Sequence, residues 1–187
     1  MKQKIIKKIL TCLFLLIQLI GSQLYASNNQ IDSYVLNQSS INLIEYIDYY
    51  EDTTSQLSWE ELQRLQSQLA WKNHPVKDEG FNFGFTKSAY WFRLNLENNS
   101  EKALDKVLEL SKARLNYVNF YQIDMTGQVK SYSTGDLLPF SSRPYHSRFF
   151  VLPVNIPAQS KMTFFVRVQS ESSLVIPLKL WSPNAFI

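Results

Sequence analysis

The chain has 187 residues, of which 45% are hydrophobic and 14% aromatic. That is enough apolar material for one packed domain, and it excludes a disordered polypeptide. The formal charge of +3 is carried by Lys2, Lys4, Lys7 and Lys8; without those four, 15 basic side chains face 16 acidic ones. A near-neutral body of this kind has no electrostatic footprint for nucleic acid or an anionic membrane.

Residues 1–26 have the layout of a secretory signal. The four lysines form a positive start, and Ile9 to Ile20 is an apolar run interrupted only by Thr11, Cys12 and Gln18. Ala26 is a suitable last residue before cleavage, although Leu24 is larger than the small residue usual three positions before a cut. The run falls short of the roughly 20 residues a membrane-spanning helix needs. An uncleaved anchor is the alternative. Cys12 is the one cysteine, so a mature chain of residues 27–187 would contain no disulfide, although an exported location would permit one.

After a polar leader at Ser27 to Gln30, strand-like composition is expected at Tyr34 to Leu36 and again from Ile41 to Tyr50, followed by a turn at Glu51 to Ser55. Ser58 with Glu61 three residues later is a capping box. Trp59, Leu62, Leu65 and Leu69 then recur at helical spacing. The spacing predicts one short helix from Ser58 to about Ala70, closed off by Pro75.

Beyond Phe81 the pattern is strands. Gly84 to Asn99 opens on a glycine turn and alternates with period two. Tyr90, Phe92, Leu94 and Leu96 form a core face; Trp91, Arg93, Asn95 and Glu97 form the other. Further strands are expected at Leu104 to Leu110, Asn116 to Ile123 and Gln128 to Ser133. Asp124 to Gly127 makes a hairpin between the last two. A long loop runs through Thr134 to Asp136 and Pro139 to Pro144. Strands follow at Arg148 to Val154, Met162 to Gln169 and Leu174 to Trp181. Strands at this regular spacing, separated by turn residues, predict a mainly β fold, a sandwich or jelly roll.

The two histidines, His74 and His146, and the lone Cys12 give no metal-ligand spacing, so no metal and no cofactor is expected. There is no nucleophile elbow, phosphate-binding loop or dinucleotide glycine pattern, and Glu45 and Glu97 have no spacing that marks a hydrolase pair. The residues point to a non-enzymatic chain. What they do offer is a matched pair of strand faces. Phe164, Val166 and Val168 alternate with Phe165, Arg167 and Gln169, and the second set resembles the Trp91 and Arg93 face in kind. If both lie on one sheet they form a polar-aromatic platform, on which an indole stacks on a flat ligand and guanidiniums hydrogen-bond it.

The expected ligand-binding residues are therefore Trp91, Arg93 and Arg167, with Tyr145, His146 and Arg148 as walls from the loop and the strand after it. Arg143, beside Pro144, reads instead as a brace on a carboxylate or turn carbonyl. A competing account buries Trp91 under the Ser58 to Ala70 helix, which must cover some sheet face.

Three runs, GFTKSAYWFRLNLENNS, TGDLLPFSSRPYHSRFFVLPVNIP and FFVRVQSESSLVIPLKLWSPNAF, together resemble the type 2 extracellular domain of bacterial seven-transmembrane receptors with diverse intracellular signalling modules. The resemblance spans Tyr34 to Phe186. It implies a jelly-roll domain like carbohydrate-binding modules, held in the periplasm or at the outer face of the inner membrane. In the family such a domain precedes seven membrane helices and an output module, usually a histidine kinase or a diguanylate cyclase. The sequence ends at Ile187, where the first membrane helix is expected, which fits either a receptor fragment or a stand-alone sensory domain. The resulting expectation is a sensor of a small molecule, a carbohydrate or similar polar ligand. The alternative is a module that binds another receptor or periplasmic domain.

Overall fold

The computed structural model describes residues 30–73 and 80–186. The expected leader at residues 1–26 and the helix-ending Pro75 lie outside the described residues.

Fifteen short elements are built in chain order: β1 (Gln30–Ile31), α1 (Ser33–Leu36), β2 (Ser40–Asn42), β3 (Ile47–Asp52), α2 (Trp59–Leu65), β4 (Lys72–Asn73), β5 (Phe81–Gly84), β6 (Ala89–Asn98), β7 (Leu104–Leu110), β8 (Tyr117–Ile123), β9 (Val129–Thr134), β10 (Phe150–Ile156), β11 (Ser160–Gln169), β12 (Leu174–Ile176) and β13 (Leu178–Trp181). The larger sheet runs β4-β3-β6-β11-β8-β9, with β1 continuing beside β6 where β3 ends. The smaller runs β10-β7-β13-β2, and β12 pairs with β5 alone. Among the described strands every pairing is antiparallel except β1 with β6. The fold is the expected mainly β sandwich.

Its core is where the alternation places it. Tyr90, Phe92, Leu94 and Leu96 of β6 and Phe164, Val166 and Val168 of β11 are buried against Leu108 and Leu110 of β7 and Phe150, Leu152 and Val154 of β10. The strand period of two, with one face apolar, fixes this register, because a one-residue slip would turn Phe92 outward. Asn98, fully buried at the end of β6, closes the sandwich. Its amide donates to the carbonyls of Lys102 and Pro157 at 2.8 and 2.9 Å, and its Oδ1 accepts from the Ser100 hydroxyl at 2.6 Å.

Several expected elements come out differently. Tyr34 to Leu36 belongs to a helical turn, because the Asp32 side chain caps it by accepting from the Val35 N–H at 3.1 Å. Ile41 to Tyr50 is not one strand. Asn42 Oδ1 accepts from Ile44 N–H, the chain turns, and β2 and β3 join different sheets. The capping box at Ser58 and Glu61 is present on both sides, but α2 ends at Leu65. Leu174 to Trp181 is two strands, since Pro177 has no N–H to continue a ladder and β12 leaves to pair with β5. Gly84 (φ 64°) and Gly127 (φ 83°) occupy their turns in the left-handed region that glycine reaches without strain.

Candidate functional site

The outer face of the larger sheet is ordered into rows by strand register. Across β3, β6, β11 and β8, one row reads Tyr50, Trp91, Arg167, Asn119 and the next Asp48, Arg93, Phe165, Tyr121. The two arginine faces expected from the sequence thus share one sheet, with Arg167 directly opposite Trp91.

This face is not left open. The segment from Gln56 through α2 to Trp71 folds over it. Leu62, Trp91 and Phe165 are fully buried there, flanked by Leu57, Trp59, Leu69, Trp71 and Tyr121. Trp59 lies flat on Tyr121, with ring centroids 4.1 Å apart and 4° between planes, and meets Phe165 edge-on at 5.5 Å. The helix is short and its stripe apolar, so its stability comes from this packing rather than from propensity.

Trp91 is therefore not an exposed stacking surface. Its exposure is 0%, and the helix account of its burial is the one the structure supports. Its Nε1 is buried with no hydrogen-bond partner among the described residues. Arg93 is engaged as well: Nη2 pairs with Asp48 at 2.7 Å, and its guanidinium stacks 4.4 Å from the Trp71 ring centroid. It lines neither cleft described below.

Arg167 is placed differently. Its Nη2 donates to the Ser55 carbonyl at 3.0 Å and to Gln169 Oε1 at 2.9 Å. Partial burial pulls its pKa down, opposed by the Asp52 and Tyr121 charges, and the same burial raises Tyr121. Ser55 sits at φ 57°, a conformation unusual for a residue with a Cβ. Its hydroxyl donates to the Lys87 carbonyl at 2.6 Å, which ties the two loops together. Beside these loops the cap leaves a shallow cleft of about 490 Å³, with Trp59, Trp91, Asn119, Tyr121, Ser131 and Arg167 in its lining.

The loop residues do not wall this cleft. Tyr145 meets Phe186 edge-on at 6.3 Å, His146 lies beside Phe140, and Arg148 covers Phe149. Phe186 packs in turn on Trp181 of β13, so Tyr145 belongs with the smaller sheet. The physical reason is Arg143, which braces the loop as expected by donating to the Ser147 and Arg148 carbonyls at 2.7 and 2.9 Å while stacking on Phe150 of β10.

A second cleft of about 660 Å³ opens at the end of the larger sheet, lined among others by Phe85, Lys87, Tyr117, Leu137, Gln169 and Glu171. Phe85 is 83% exposed and Tyr117 42%. Sequence reasoning did not reach Trp59, Asn119, Tyr121, Phe85 or Tyr117. For β8 the signal was available, since Tyr117, Asn119 and Tyr121 alternate with the core residues Val118 and Phe120.

Among the described residues no group of His, Cys, Asp or Glu is placed to hold a metal ion. No helix among them is long and apolar enough to cross a membrane.

No curated protein matches the chain. Among solved structures it is similar to TmCBM61 in complex with beta-1,4-galactotriose, at 8% identity and a TM-score of 0.37, covering 74% of this chain and 90% of that one. It is also similar to CBM28, a carbohydrate-binding module specific for non-crystalline cellulose, at 13% identity and TM-score 0.28, covering 55% and 70%. The insecticidal crystal protein Cry2Aa matches at 12% identity and TM-score 0.33, over 59% of this chain and only 19% of that one. The model of the 7TMR-DISM extracellular 2 family matches residues 44–182, from the turn before β3 to just past β13. The chain belongs to the 7TMR-DISM extracellular 2 family, the extracellular sensory domains of 7TMR-DISM receptors.

Proposed function

We propose that the domain is the ligand-sensing part of a bacterial transmembrane signalling receptor, exported by its N-terminal leader and displayed in the periplasm or at the outer face of the inner membrane. The ligand is a carbohydrate or a similar small polar molecule, bound in the cleft beside Arg167 on the outer face of the larger sheet. One observation carries this reading. The cap over that face stops short and leaves Arg167, Asn119, Ser131 and the rings of Trp59 and Tyr121 around one opening. Aromatic faces take up the C–H face of a sugar ring, while amide, hydroxyl and guanidinium groups pair with its hydroxyls.

Of the residues expected from the sequence, Arg167 is the direct contact in this reading. Trp91 is the floor, and Arg93 steadies the cap through Trp71. Differential scanning fluorimetry of the exported protein against a panel of neutral sugars, with Arg167→Ala and Asn119→Ala alongside, tests it. A sugar that raises Tm for the native protein and not for the two variants is the expected result. A panel without any Tm increase, or an increase retained in both variants, contradicts it.

A further inference from the structure

The cleft beside Arg167 and the cleft beside Phe85 are neighbours, and their linings touch. Arg167 lines the first and Gln169 the second, and the two side chains are joined by a 2.9 Å hydrogen bond. On β8, Asn119 faces Arg167 and Tyr117 faces Gln169. Tyr121, Asn119 and Tyr117 therefore follow one another along one face of one strand. At about 3.4 Å per residue, Tyr117 and Tyr121 are roughly 14 Å apart. The walls are joined as well, because the Ser55 hydroxyl on the Ser55–Glu60 side donates to the Lys87 carbonyl on the Phe85 side.

The groove carries aromatic rings at both ends, Trp59 with Tyr121 at one and Phe85 with Tyr117 at the other, and amides between them at Asn119 and Gln169. Phe85 contributes nothing to the core at 83% exposure and shares its cleft with exposed Leu137 and Tyr117, and apolar side chains gathered in water in this way mark a contact surface. Charge along the groove is balanced: Arg167 and Lys87 against Glu60 and Glu171. With two cations set against two carboxylates in the lining, the groove offers no concentrated positive charge to an anionic ligand.

From this geometry we infer that the two clefts form one groove for a linear, uncharged oligosaccharide several units long, rather than two sites for single sugars. The inference rests on the sugar-sensing reading above and extends it to chain length. One end of the ligand lies against Trp59 and Arg167, and later units run over Gln169 to stack on Tyr117 and Phe85.

The test is isothermal titration of the exported protein with β-1,4-linked glucose, galactose and mannose oligomers, from monosaccharide to pentasaccharide. Phe85→Ala and Tyr117→Ala are run in parallel; both side chains are exposed, so both variants fold. Affinity rising by about tenfold or more from mono- to trisaccharide, with that gain lost in Phe85→Ala or Tyr117→Ala while monosaccharide affinity is kept, is the expected result. Binding that is independent of length, or a length gain untouched by both variants, overturns the groove and leaves the sugar-sensing reading standing. Binding of none of the oligomers overturns both.

Discussion

Arg167 stands directly opposite Trp91 across the β6–β11 pairing, with its guanidinium 6.0 Å from the indole centroid, and reaches past it to the Ser55 carbonyl. The two residues share a face but differ in role. Trp91 is covered by α2 and belongs to the packing; Arg167 sits where the cover ends. Trp91→Ala is expected to cost about 3–5 kcal/mol, the range for emptying a large aromatic site. Arg167→Ala, which loses two hydrogen bonds at a half-buried position, should cost about 1–3 kcal/mol. Urea unfolding of the two variants measures this, and a Trp91→Ala cost under about 1 kcal/mol would mean that Trp91 is not structural.

Arg93 pairs with Asp48 beneath Trp71, so its removal should loosen the cap rather than touch a ligand. Arg93→Ala is expected to lower stability by about 1–3 kcal/mol, the loss of a charge-assisted bond, and to leave ligand affinity unchanged under conditions where the variant is folded. An affinity loss greater than that of Arg167→Ala would return Arg93 to the contact set.

The Tyr90 hydroxyl donates to Glu51 at 3.0 Å in the core, and burial first, then that carboxylate, pushes its pKa from 10.0 to about 12. The folded state therefore keeps a proton that the unfolded state releases. The contribution is complete below pH 10 and is lost as pH rises from there through about 12. Thermal melts across that window should show Tm falling more steeply for the native protein than for Tyr90→Phe. Parallel slopes would show that Tyr90 does not titrate differently on folding.

Asn98 holds the loops at one end of the sandwich with no exposure of its own. Asn98→Leu, close in size but without the polar groups, leaves those carbonyls to be satisfied elsewhere and is expected to cost about 1–3 kcal/mol or more. Chemical denaturation tests this, and a variant as stable as the native chain would mean that water replaces the amide without penalty.

Alternation made the sandwich legible. Phe92, Phe164 and Val166 could be assigned inward from period two alone, and the capping box marked the start of α2 at the correct residue. The cover over Trp91 was not legible in the same way. A strand pattern separates two faces but does not say what lies on the second one, and an indole in a polar row fits solvent, ligand or helix equally well. Tyr145, His146 and Arg148 were misplaced for a related reason. Proximity in sequence to β10 carries no information about which sheet the loop packs on, and that is decided by Arg143 on Phe150 and by Phe186 on Trp181. Local signals likewise overrode composition at Pro177 and Asn42, where single residues divided segments that read as continuous strands.

The four tryptophans offer the most direct test of where ligand binds. Trp59 and Trp91 border the cleft and Trp71 lies in the cap over Arg93, whereas Trp181 is on the smaller sheet with its Nε1–H donating to Glu109 at 2.7 Å. In a ¹⁵N-labelled protein titrated with the β-1,4-linked oligosaccharides, the indole N–H signals report each position separately. A ligand held on the outer face of the larger sheet shifts the Trp59 and Trp91 signals and leaves Trp181 in place. A shift at Trp181 with Trp59 and Trp91 unmoved, or no shift at any indole at saturating oligosaccharide, would contradict the account.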